Sequence, residues 1–394
     1  MGFDLRKARQ DTPGCEHVLH LNNAGASLMA KPVYDAMTEH LKQELLTGGY
    51  EAEHAAVEKT ENTYRAVSRM LGCSSREIAL VENATTAWDM AFYSIPFQPG
   101  DRILTSMTEY CSNYIAFLQI SLKTGAVIEV IPNDEYGQTS ASALRNMLDD
   151  RVKLIAINHI PTNSGLINPA AEIGQVAREA NVLYLLDACQ SVGQVPINVK
   201  EIGCDFLTAT GRKYLRGPRG TGFLYVREER IEQVEPPFLD CHSATWVEAD
   251  KYIIRGDARR FENWESNQAA KIGLGVAVDY FLKTGMEEST SRIASLGDLL
   301  RNHLGRISGV EVTDIGKNRG GIVTFTCHTK DPREVKQSLS EQNINVHLVG
   351  PNSARLDMEQ RKLELLIRAS VHYYNSEEEL ERFASSLDSI LTSK

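Results

Sequence analysis

The chain has 394 residues, 42% hydrophobic and 24% charged, the balance of a water-soluble globular protein long enough for two domains. Its formal net charge of −10 argues against nucleic acid or an anionic membrane as partner, and no apolar run of about 18 residues marks a membrane span. Seven cysteines, at 15, 73, 111, 189, 204, 241 and 327, are scattered without a CxxC pair and the first residues lack an apolar signal, which predicts reduced thiols in a cytoplasmic protein.

Residues 18–28, VLHLNNAGASL, are a short apolar run that breaks into Asn22, Asn23, Ala24 and Gly25. Small and amide residues there let the backbone approach a ligand, or make an ordinary turn before a helix. Pro32 stands near the start of that helix, with Val33, Met37, Leu41 and Leu45 on one stripe, and a second helix runs from about 58 to 71. A strand at 77–81 feeds Glu82-Asn83-Ala84-Thr85-Thr86 and a helix to about Tyr93. Helix N–H groups and two hydroxyls at such a turn suit a phosphate; Thr85 as helix cap explains the same residues, and both can hold. Strands follow at 102–105, leading to SMTEYCSNY, at 126–131, and at 152–158, leading to His159-Ile160-Pro161-Thr162-Asn163-Ser164-Gly165. After a helix at 170–180 the run VLYLL ends on Asp187, a strand at 205–209 ends in Thr210-Gly211-Arg212-Lys213, and a strand at 223–226 follows GPRGTG.

Short apolar strands alternating with helices predict an α/β fold with a mostly parallel sheet covered on both faces, its ligand site beyond the carboxyl ends of the strands. A large domain at 31–275 is expected, then a small α+β domain at 276–394, with residues 1–30 contributing to the small domain and the site. In the small domain, strands are predicted at 310–313, 321–326, 344–348 and 363–370, a helix at 332–339, and a last helix capped by Ser376. The segments 47–56, 236–255 and 349–358 read as loops around the distal pocket. His242, His347 and His372 have no second ligand at metal spacing, so no metal is predicted.

A buried strand ending on an acid, and a lysine preceded by small and basic residues, match the needs of pyridoxal phosphate (PLP). That cofactor takes an acid at its ring nitrogen, a lysine for its Schiff base, and hydroxyl and cationic groups for its phosphate. A plain strand-loop-strand explains the stretch 185–226 equally well when it is taken alone. Polar residues at the other strand ends, Asn83-Thr85-Thr86, Tyr110 and His159-Thr162-Asn163, favour the cofactor.

DACQ, TGRK and GPRGTGFLYV together resemble the fold-type I, class V aminotransferase family of PLP enzymes, from the LNNAG loop to IRASVHYYNSEEEL. The resemblance implies Lys213 as the cofactor's lysine, Asp187 as the ring-nitrogen acid, and Gln190 as partner of the phenolic oxygen. It implies Thr85, Thr86, Thr210 and Arg212 at the phosphate, Tyr110 over the ring, and Thr162 or Asn163 against it. Asn23, Ala24 and Arg368 fall at the substrate, with Arg368 suited to a carboxylate. A homodimer is implied, in which the segment 260–267 reaches the neighbouring active site; the family's Thr-Pro there is Glu265-Ser266, so Ser266 is a candidate and the choice within 265–267 stays open.

The family includes cysteine desulfurases, selenocysteine lyase, kynureninase, isopenicillin N epimerase and the sulfoxide lyases of ergothioneine biosynthesis. Desulfurases carry a loop cysteine at a position that falls on Ser353, and HLVGPNSARLDM has no cysteine. A serine cannot hold a persulfide. The expectation is therefore a carbon–sulfur lyase acting on a cysteine S-conjugate or its sulfoxide, with Lys213 removing the α-proton and Tyr110 serving the leaving group, and with an amino-acid epimerase as the alternative.

Overall fold

The computed structural model describes residues 3–393. Seven strands form the main sheet: β1 (Ile78–Val81), β2 (Arg102–Thr105), β3 (Val127–Val130), β4 (Val152–Asn158), β5 (Leu183–Asp187), β6 (Phe206–Thr210) and β7 (Gly222–Val226). Their order across the sheet is β1-β7-β6-β5-β4-β2-β3. The pairings from β6 to β3 are all parallel, and β7 runs against both β6 and β1. Residues 211–221 between β6 and β7 hold no helix. A connection that short turns the chain back, whereas a parallel return needs a longer crossover.

Period-two alternation splits the apolar side chains between the two faces of the sheet. Ile155, Ile157, Tyr184 and Leu186 pack with Ile173 and Val176 of the helix Ala170–Glu179. Leu154, Ala156 and Leu185 pack on the opposite face with Trp88 and Phe92 of α1 (Ala84–Phe92) and Phe117 of α2 (Cys111–Thr124). Helices on both faces leave the strand ends as the place where polar side chains meet a cleft.

A second sheet of four antiparallel strands takes Val310–Val312, Ile322–Cys327, Leu366–Ser370 and His347–Val349 in that order. Leu296, Leu300, Val335, Leu380 and Phe383 from three helices close its core. The strand expected at 344–348 is two pieces, because Ile344 and Asn345 pair instead with Leu19 and His20. That pairing fastens the N-terminal segment beside the small sheet. The boundary expected at 275 falls inside the helix Gln268–Thr284, and the chain breaks next at Gly285, whose φ of +91° suits glycine. The loops expected at 47–56, 236–255 and 349–358 contain a helix (Gly49–Ala55), a hairpin (Ala244–Glu248 with Lys251–Ile254) and a helix (Arg355–Gln360).

Candidate active site

The carboxyl ends of the parallel strands meet in a cavity of about 520 Å³. Thr85 and Thr86 reach it after β1, Tyr110 after β2, Thr162 after β4, Asp187 and Gln190 after β5, and Thr210, Arg212 and Lys213 after β6. Nine of the residues singled out in the sequence therefore line one space. β7 packs behind the start of α1 at Gly222, where a Cβ would lie 2.6 Å from the Asn83 carbonyl carbon and 2.9 Å from the Ala84 nitrogen. Only glycine lets the start of α1 sit so close to the sheet.

One end of the cavity is built for an anion. Asn83 is the cap of α1: its Oδ1 accepts the Thr86 N–H at 2.9 Å, so the capping role considered for Thr85 belongs to Asn83. The threonine hydroxyls then stand at a helix N-terminus, where free N–H groups and the helix dipole favour negative charge. Arg212 brings a guanidinium to the same cavity and donates from Nη1 to the Gly25 carbonyl. Thr210 donates its hydroxyl to the Thr221 carbonyl at 3.1 Å, so it serves a phosphate only when that hydrogen turns from the carbonyl toward the cavity.

The opposite feature is a buried carboxylate. Asp187 is 7% exposed; Oδ1 accepts the Cys189 N–H at 2.8 Å and Oδ2 accepts Asn113 Nδ2 at 2.9 Å. Glu109, equally hidden, accepts from the other side of the same Asn113 nitrogen. Neither residue was among the sequence candidates. They lie four apart across the start of α2, a spacing that puts both on one side once the helix start is known. Lys213 is half-buried, and burial draws its amine below the ordinary lysine range, toward the neutral form. Burial pushes the Tyr110 phenol up, so it keeps its proton.

Arg368 comes from the small sheet. Its Nη1 donates to the Thr162 carbonyl at 3.1 Å and hydroxyl at 2.8 Å, and its Nη2 to Asn22 Oδ1 at 3.3 Å. Nε is buried without a protein partner. Burial brings this guanidinium down to about 10. Asn22, not Asn23, faces the arginine. Asn23 is buried, donating to the Ser370 carbonyl at 2.7 Å and accepting from the Tyr374 hydroxyl at 2.5 Å, and the Ala24 carbonyl accepts Gln190 Nε2 at 3.2 Å. Asn163 turns away from the cavity to donate to Asp357 at 2.7 Å, while Thr162 lines it. Ser266 lies off this cavity, in a small recess with Asn263, Asn267 and Lys271.

A helix N-terminus, hydroxyls and a guanidinium at one end, a buried acid elsewhere and a lysine on the same wall are the donor set for a molecule carrying a phosphate and a protonated ring nitrogen. PLP fits it, and Gln190 Oε1, buried without a protein partner, leaves a further polar contact for that ligand.

The aminotransferase class-V family matches residues 19–383. The chain is 29% identical over 388 residues to a probable cysteine desulfurase of Methanothermobacter thermautotrophicus, covering 97% of both chains. It is 31% identical to a probable cysteine desulfurase of Xylella fastidiosa over 84% of this chain and 80% of that one. The apo structure of a cysteine desulfurase from Thermococcus onnurineus NA1 superposes with a TM-score of 0.92 at 27% identity, covering 99% of this chain and 98% of the other. These relatives overturn the expected lyase on S-conjugates and its epimerase alternative. That expectation rested on Ser353 and on a likeness of TGRKYLRGPRGTGFLYVR and RFENWE to the sulfoxide-lyase and epimerase branch, and the end-to-end likeness to proteins named cysteine desulfurases outweighs both.

Proposed function

The chain belongs to the class-V aminotransferase family of PLP enzymes, and from that premise we propose that it removes the sulfur of L-cysteine and leaves L-alanine. What supports this reading is the match to a probable cysteine desulfurase over 97% of both chains. PLP, when bound, supplies the electron sink that makes the α-proton removable.

The chain's own groups then divide the work. Thr85, Thr86, Thr210 and Arg212 hold the phosphate, Asp187 the ring nitrogen and Gln190 the phenolic oxygen. Arg368 holds the amino acid's carboxylate, with Nε as its spare donor. Lys213, drawn toward neutrality by burial, moves the proton at the α-carbon. Tyr110, kept protonated, stands by as hydrogen-bond donor at the sulfur. In the net reaction the Cβ–S bond breaks, Cβ takes a proton, and sulfur passes to a thiolate as a persulfide. With residues 349–358 offering serine at 353 and no cysteine, the acceptor in this reading is a small thiol from solution. Two such thiols release the sulfur as sulfide and become a disulfide, so atoms and electrons balance.

We also infer a homodimer in the cytoplasm. In the single chain Ser266 lies off the main cavity and Trp264 exposes 56% of its surface, as expected of a segment that serves a neighbour. All seven cysteines are unpaired, in keeping with a reducing compartment. The test of the activity is product analysis with L-cysteine, PLP and excess dithiothreitol. Alanine and sulfide in equal amounts are expected; pyruvate and ammonia in place of alanine would overturn the proposal.

A further inference from the structure

Behind Asp187 sits a second carboxyl group. Glu109 is 3% exposed, and its hydrogen-bond partners are all neutral: the Tyr110 N–H at 2.8 Å and Asn113 Nδ2 at 2.9 Å on Oε1, and the Thr105 hydroxyl at 3.0 Å on Oε2. The Asn113 nitrogen also donates to Asp187 Oδ2 at 2.9 Å. An amide nitrogen has two hydrogens, so one goes to each acid. Asp187 Oδ1 is fixed by the Cys189 N–H, which leaves Asn113 as the side-chain contact that sets the tilt of the carboxylate.

We propose that Glu109 is a positioning residue: through Asn113 it orients the Asp187 carboxylate toward the ring nitrogen of PLP. The β2 end and the first turn of α2 carry Thr105, Glu109 and Asn113, so one stretch of chain supports an acid held on β5. Electrostatics agree with the geometry. Burial first, then the charge of Asp187, push the Glu109 carboxyl up to about 8. Held neutral, Glu109 leaves a single anion behind the cofactor, and the Thr105 hydroxyl donates to its Oε2. A glutamine reproduces that neutral group; an alanine strands the Tyr110 and Asn113 N–H groups.

The inference rests on Asp187 as the ring-nitrogen partner and is independent of which amino acid is consumed. Its test is the rate at which the holoenzyme loses PLP on dilution, followed by cofactor absorbance, with folding checked by circular dichroism. E109A is expected to lose PLP roughly tenfold faster, the cost of one broken buried hydrogen-bond link, while E109Q stays within about twofold of wild type. N113A is expected to match E109A, and it carries the test if E109A does not fold. Variants that lower the melting temperature but release PLP at the wild-type rate overturn the inference. So does an E109Q that behaves like E109A, since the neutral acid is then not what Asn113 requires. D187A separates the premise: if it retains PLP as wild type does, Asp187 is not the ring-nitrogen partner, and the inference falls with that premise while the cysteine reaction stands.

Discussion

Asp187 on the cavity wall and Arg368, which stands behind Thr162 of that wall, are held differently. On the main sheet, both oxygens of Asp187 are taken, one by a backbone N–H and one by Asn113, and Asn113 is itself held by Glu109. On the small sheet, Arg368 spends two nitrogens on Thr162 and Asn22 and keeps Nε, buried, without a protein partner. A carboxylate with one donor on each oxygen has a fixed direction and still a lone pair to offer, which suits a resident cofactor. A group with one donor to spare suits a substrate that comes and goes, because a buried donor left unmade is costly and a carboxylate relieves it. Lys213 lines the same cavity as Asp187, and in the proposed reaction it works on the bound amino acid.

That division predicts graded losses. Replacing Lys213 breaks the proton transfer: K213A is expected to lower turnover of L-cysteine about 10³-fold with the circular dichroism spectrum unchanged. Wild-type turnover in K213A would remove the lysine from the reaction. A smaller effect comes from the anion end. In G222A the new Cβ meets the Asn83 carbonyl carbon at 2.6 Å and must push back the start of α1. Displacing backbone in this way costs about 1–3 kcal/mol, read as weaker PLP affinity with KM for L-cysteine unchanged at saturating cofactor. A rise in KM alone would mean that α1 serves the substrate rather than the phosphate.

Much of this site was legible from the residues. The strand ends at Thr86, Tyr110, Thr162, Asp187 and Lys213 converge as the alternation of strands and helices implies, because a parallel sheet delivers its carboxyl ends to one edge. Glu109 and Asn113 were hidden because their pairing depends on where α2 begins. Asn22 and Asn23, or Thr162 and Asn163, are neighbours with the same chemistry, and only the backbone direction decides which one faces the cavity. The strand expected at 344–348 split for a similar reason: its alternating pattern cannot say that its first half pairs with Leu19 and His20. The lyase expectation gave one missing thiol at 353 more weight than the rest of the chain supports.

The division between the two sides is tested most directly in R368A, by titrating the same protein with PLP and then, at saturating PLP, with L-cysteine. Loss of one charge-assisted contact predicts a roughly 30-fold weaker hold on L-cysteine with PLP affinity kept. Equal weakening of both, or wild-type binding of L-cysteine, would contradict a cavity in which the main sheet holds the cofactor and the small sheet holds the substrate.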